Sequence, residues 1–107
     1  MSRHYFATSH KGAPVTVYLG WDRPVQYFFL VIEKSAARVE EDDYLYSNLH
    51  ERDPFGHGLD YYRDVLRHFQ IVVPESMFTE VQRDADNHVG NRIVIHQVDG
   101  TFAERER

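Results

Sequence analysis

The chain contains no cysteine, and this excludes a disulfide framework, a thiolate nucleophile, a zinc–thiolate site and an iron–sulfur cluster. It is also poor in breakers, since four prolines and six glycines in 107 residues leave no flexible linker at which a second domain would begin. The longest apolar run, Tyr27 to Ile32, falls far short of the roughly 20 residues that cross a bilayer. Residues Met1 to Ala7 carry no apolar stretch of signal-peptide length, so the expectation is a cytoplasmic protein with no membrane contact. No glycine-rich phosphate loop and no glycine-flanked serine elbow occurs, so no catalytic residue and no cofactor is expected.

What is present is a core and a charge imbalance. The 42% hydrophobic and 14% aromatic content suits one packed domain over residues 1–107, with a frayed tail from about residue 101. The formal charge is −5, unevenly placed: five basic and two acidic side chains fall in residues 1–39, and seven and fifteen in the remainder. The larger part is therefore a poor phosphate binder, which argues against nucleic acid as a partner.

Val15, Val17 and Leu19 alternate with Thr16 and Tyr18, the period of a strand buried on one face. Gly20-Trp21-Asp22-Arg23-Pro24 interrupts that pattern before Tyr27 to Glu33 resumes it, which predicts a hairpin tipped by Trp21. The acidic stretch 35–43 reads as a solvated turn, Tyr44 to Ser47 as a short strand and 48–58 as a long loop. Leu59, Tyr62, Val65, Leu66 and Phe69 share one face of a helix. Pro74 is placed to begin a second helix as its first residue, with Met77, Phe78, Val81, Ala85 and His88 inward and Asn87 to Gly90 as its end. Arg92 to Val98 reads as a last strand stopped by Asp99-Gly100, and an additional strand around His4 to Thr8 is left open. The predicted fold is α+β and two-layered: a mainly antiparallel sheet of three to five strands with two helices on one face, in the order β-β-β-α-α-β.

Gly-Trp-Asp-Arg-Pro at 20–24, the following Tyr-Phe-Phe, Leu-Tyr-Ser-Asn-Leu at 45–49, the Asp-Tyr-Tyr helix and Val-Pro-Glu-Ser-Met at 73–77 together resemble small uncharacterised bacterial proteins with a Gly-Trp-Asp-x-Pro hairpin. The resemblance spans roughly residues 15–92. It implies a self-contained bacterial domain and transfers no activity and no catalytic residue.

Trp and Arg are the residue types most enriched at binding hot spots, so Trp21 and Arg23 at the hairpin tip are candidate partner-binding residues. The competing reading makes Trp21 a lid folded onto the sheet. Tyr18, Tyr27, Tyr44 and Tyr46 are candidates for one aromatic sheet face, which would form either an interface or a set of cross-strand pairs. The expected function is a small acidic, non-enzymatic binding or regulatory module whose partner is another protein or a second copy of itself. The alternative is a small hydrolase or lyase in loop 48–58, with His50 or His57 as general base oriented by Asp53 or Asp60. A metal is not expected there, because His50 and His57 lie seven residues apart with a proline between them rather than at the i, i+4 spacing of a helical ligand pair.

Overall fold

The computed structural model describes residues 1–34 and 44–105. The acidic turn expected at 35–43 lies outside these residues. Six strands form one mixed sheet flanked by two helices. The strands are β1 (Ser2–His10), β2 (Ala13–Asp22), β3 (Tyr27–Lys34), β4 (Tyr44–Ser47), β5 (Arg92–His96) and β6 (Phe102–Arg105), and the helices are α1 (Leu59–His68) and α2 (Glu75–Asp86). The order across the sheet is β4-β3-β2-β1-β5-β6. Pairing is antiparallel throughout except between β1 and β5, which run parallel.

Local chemistry accounts for most of these elements. Lys11 and Gly12 both have positive φ, 51° and 81°, the geometry of the two-residue hairpin turn whose twist matches its flanking strands. Each helix ends in the same way: Gln70 and His88 take left-handed φ values of 59° and 49°. The amides of Ile71 and Val89 then close on the carbonyls of Leu66 and Asp84, which satisfies carbonyls left over at the helix end. His88 is thus the residue that stops α2, and it is exposed rather than part of the inner stripe. Pro74 is the N-cap in extended conformation (φ −60°, ψ 138°), one position ahead of where the sequence puts it.

Among the described residues the sheet has six strands where the sequence predicts three to five; the N-terminal strand left open is present, and two other expectations need correction. The N-terminal strand exists and is central, because β1 pairs on both sides. β2 continues through Gly20 and Trp21 to Asp22, and the turn comes at 23–26. Gly20 does not end the strand. It lies opposite Phe29, and a Cβ at Gly20 would collide with the Phe29 ring and the Ser2 carbonyl oxygen, so the missing side chain makes room for an aromatic ring lying across the ladder. Finally, residues 102–105 form β6 along β5, where the sequence suggests a frayed tail. Asp99 accepts hydrogen bonds from the amide and hydroxyl of Thr101, and this turn folds the chain back.

The core lies between the helices and one sheet face. Val15, Val17, Leu19 and Trp21 of β2, Phe6 of β1 and Leu30 and Ile32 of β3 meet Tyr62 and Leu66 of α1 and Met77, Phe78 and Val81 of α2. Arg63 clamps the two helices, bonding Glu75 through both terminal nitrogens while lying 4.0 Å over the Phe78 ring. Side chains alternate across the sheet, so Arg3, Tyr5, Tyr18, Phe29, Val31, Glu33, Ile93 and Ile95 are on the opposite face, away from α1 and α2.

Candidate functional site

Two places in the molecule carry more polar or aromatic chemistry than the fold requires. The first is the sheet face opposite α1 and α2. Tyr18, Tyr27 and Tyr44 line a groove of about 380 Å³ there, together with Arg3, Tyr5 and Glu33. Tyr5 and Tyr18 are cross-strand partners and meet edge to face with centroids 4.8 Å apart, a favoured aromatic geometry. The Tyr18 hydroxyl donates to Glu33 Oε1 at 3.2 Å. Burial first and the Glu33 charge second raise the Tyr18 pKa above the usual phenol value, so its donor proton is retained.

The remaining candidate binding residues are elsewhere. Tyr46 pairs with Ile32 on the helix-covered side and packs against Phe69. Trp21 is 4% exposed and belongs to the apolar cluster, because the extension of β2 turns its indole under α2 with the His88 ring 5.7 Å away. Trp21 is therefore buried and not at the hairpin tip. Arg23 does lie in the turn, and its guanidinium sits about 3.5 Å from where a Gly90 Cβ would be, away from the tyrosine groove.

The second place is a polar layer between β1, β5 and α2 that the sequence reading missed. Asp84 Oδ2 and His4 Nε2 are 2.7 Å apart, His4 Nδ1 and His96 Nε2 2.8 Å, and His96 Nδ1 and Ser76 Oγ 2.9 Å. His4, Asp84 and His96 are at most 2% exposed, while Ser76 is half-buried. Arg92 completes the layer by donating to Asp84 Oδ1 at 2.6 Å and to Glu80 at 3.1 Å and by pairing with Glu104. Burial alone would raise the Asp84 pKa, but hydrogen bonds from His4 and Arg92 outweigh it and hold the carboxyl below its ordinary value. Burial, with His4 as a neighbour, pushes His96 down to about 4, so this imidazole is neutral at pH 7. Two signals could have exposed the layer in advance. Glu80 and Asp84 fall at i+3 and i+7 from Met77, on the buried stripe, and His4 and His96 occupy inward positions of alternating strands.

In loop 48–58, the place of the alternative hydrolase or lyase reading, His57 pairs with a carboxylate other than the Asp53 or Asp60 of that reading. His57 lies 3.5 Å from Glu51 and stacks on Tyr61 at 3.8 Å, and Tyr61 donates to Glu51. Asp53 instead packs beside Gly56, where a Cβ would strike its carboxylate. Asn48 ties the loop down by donating to the Pro54 carbonyl at 2.9 Å. Among the described residues no group of three or more His, Cys, Asp or Glu side chains is placed to hold a metal ion, and no helix is long and apolar enough to cross a membrane.

Comparison of the chain with family models, with curated proteins and with solved structures finds no match.

Proposed function

We propose that the chain is a small protein-binding module whose sheet face opposite α1 and α2 docks a second copy of itself. The observation that carries this reading is the symmetry of charge about Tyr18. Arg3 lies two residues along β1 from Tyr5, the β1 partner of Tyr18, while Glu33 lies two residues along β3 from Val31, its β3 partner, in the opposite direction. Tyr18 is thus the midpoint between a cation and an anion on one apolar face. A two-fold axis through Tyr18, perpendicular to the Arg3–Glu33 line, sets each Arg3 over the Glu33 of the other copy and each Tyr18 against its twin. The interface is then self-complementary, as an isologous dimer requires. Two further features support it. Arg3 has no carboxylate partner among the described residues; its Nε contacts the Met1 sulfur at 3.3 Å. Tyr5 and Val31 flank Tyr18 on its two neighbouring strands, and Ile93 and Ile95 continue the apolar surface on β5 beyond Arg3, so the two charges are set within an apolar surround.

Sedimentation velocity tests the reading. A dimer is expected at micromolar concentration, Arg3→Glu or Glu33→Arg alone should shift it to monomer, and the combined charge swap should restore it. A chain that remains monomeric at several hundred micromolar overturns the proposal, and so does a dimer indifferent to both single changes.

A further inference from the structure

We propose that Ser76 is a nucleophile for acyl transfer, with His96 as its base and His4 and Asp84 as the residues that position and charge-stabilise that base. Three contiguous hydrogen bonds of 2.9, 2.8 and 2.7 Å lead from the Ser76 hydroxyl to the Asp84 carboxylate. Every link but the serine is sealed from water. This is the nucleophile–base–orienting-group pattern of hydrolytic triads, lengthened by one imidazole. It stands apart from the tyrosine face, and neither proposal depends on the other.

The proton count closes without any external reagent. Neutral His96 carries one ring proton. Placed on Nε2, it is donated to His4 Nδ1, His4 Nε2–H is donated to Asp84, and the free lone pair of His96 Nδ1 faces the serine hydroxyl. As Oγ bonds to an ester carbonyl carbon, the Ser76 proton moves to His96 Nδ1 and the Nε2 proton moves on to His4 Nδ1. The cation that results is the one beside the Asp84 carboxylate. The carbonyl–alkoxy bond then breaks, and the leaving alcohol recovers a proton along the same chain in reverse. Water attacks the acyl-serine by the same route, releasing a carboxylic acid and regenerating the hydroxyl.

Placement favours the hydroxyl as the working end. Ser76 is in the first turn of the 12-residue α2, where main-chain N–H groups other than that of Met77, which donates to the Pro74 carbonyl, lack intrahelical acceptors and can donate to developing negative charge on a carbonyl oxygen. The Phe102 ring, 43% exposed, lies 5.2 Å from the His96 ring and offers an apolar surface beside the base, suited to the acyl or aryl part of an uncharged ester. A structural role alone leaves the layer unexplained, since a buried ionic network is commonly matched or bettered in stability by apolar packing of the same volume.

The full chain, incubated with a fluorophosphonate probe and separately with p-nitrophenyl acetate, provides the test by intact-mass and peptide mass spectrometry. One adduct on Ser76 is expected, with none in Ser76→Ala and a labelling rate about 100-fold lower in His96→Asn, the usual scale of lost general-base assistance. Circular dichroism identifies any variant that fails to fold. Ser76→Cys keeps the question open in that event, because it creates the sole thiol of a cysteine-free chain. Its iodoacetamide reaction should remain fast at pH 6, well above that of Thr79→Cys on the exposed side of the same helix. An unlabelled Ser76 in the folded chain, equal labelling in His96→Asn, or equal thiol reactivity at the two positions overturns the proposal.

Discussion

The layer between sheet and helices has two ends built on opposite principles. At the β2–β3 end, Val17, Leu19, Leu30, Ile32 and Trp21 meet α1 and α2 with almost no polar atoms. At the β1–β5 end the same helix, α2, presents Glu80 and Asp84 to His4, His96 and Arg92. One end gains stability from excluding water, in a manner nearly independent of pH. The other depends on protons standing at particular nitrogens and oxygens. A fold can evidently tolerate an ionisable layer when an adjoining apolar one secures the same helix.

The largest effects should come from damaging either end outright. Trp21→Ala removes a buried indole, and chemical denaturation should register a loss of about 3–5 kcal/mol, with a blue emission maximum in the wild type from this sole Trp. Asp84→Ala leaves Arg92 and His4 without their shared anion, and a similar loss of about 3–5 kcal/mol is expected. Acid separates the two ends. The unfolded chain protonates His96 near pH 6.5, whereas the folded chain resists until about 4, so stability at this site is complete above pH 6.5 and falls as pH drops toward 4. At about 1.4 kcal/mol per pH unit the loss is roughly 3 kcal/mol. Asp84, with its lowered pKa, extends the same trend below the ordinary carboxylate range. Denaturant midpoints of His96→Asn should therefore be flatter than wild type between pH 6.5 and 4, and those of Trp21→Ala should run parallel to wild type.

Smaller changes sharpen the contrast. The Tyr46 hydroxyl is buried and has no hydrogen-bond partner among the described residues, and burial raises its pKa. Tyr46→Phe should then be neutral or stabilising by up to about 1 kcal/mol, because an unsatisfied polar atom is removed from an apolar site; a measured loss above that would mean the hydroxyl is engaged. Weakest of all, His57→Ala should shift stability by no more than about 0.5 kcal/mol, and equimolar zinc should leave the melting temperature unmoved.

Much of the fold can be read directly from residue order. Val15-x-Val17-x-Leu19 marks one face of β2 without ambiguity, and the Leu59–Phe69 and Met77–Ala85 spacings mark both helices, because apolar period is a local property. The strand pairings that matter most here are not local. Nothing within a few residues of His4 announces that β5 will lie beside it, so the polar layer is scattered over residues 4, 76, 84, 92 and 96 and joined only by the sheet. Trp21 reads as a hairpin tip, with a lid on the sheet as the competing reading, for a different reason. Gly20 has the composition of a turn, yet its lack of a side chain serves the Phe29 ring packed across it, and a chain breaker and a packing notch look alike in sequence. Tyr46 stands on the opposite face from Tyr18, Tyr27 and Tyr44 because β4 meets β3 through a register shift between Ile32 and Glu33, which no alternation pattern records.

The single parallel pairing also governs the order in which the molecule can be built. β1 and β2 join across two residues, but Ser2 must find Arg92 and His4 must find Val94, closing a loop of about 90 residues at an entropic cost near 4 kcal/mol plus a constant. Contacts of such long range form after local ones have shortened the effective loop. The hairpins of β1–β3, with their apolar faces, can form first, and the β5–β6 hairpin docks onto the free edge of β1 afterwards. His96 then meets His4 and Ser76 in a late step, so the polar layer is completed only in chains whose apolar scaffold already stands.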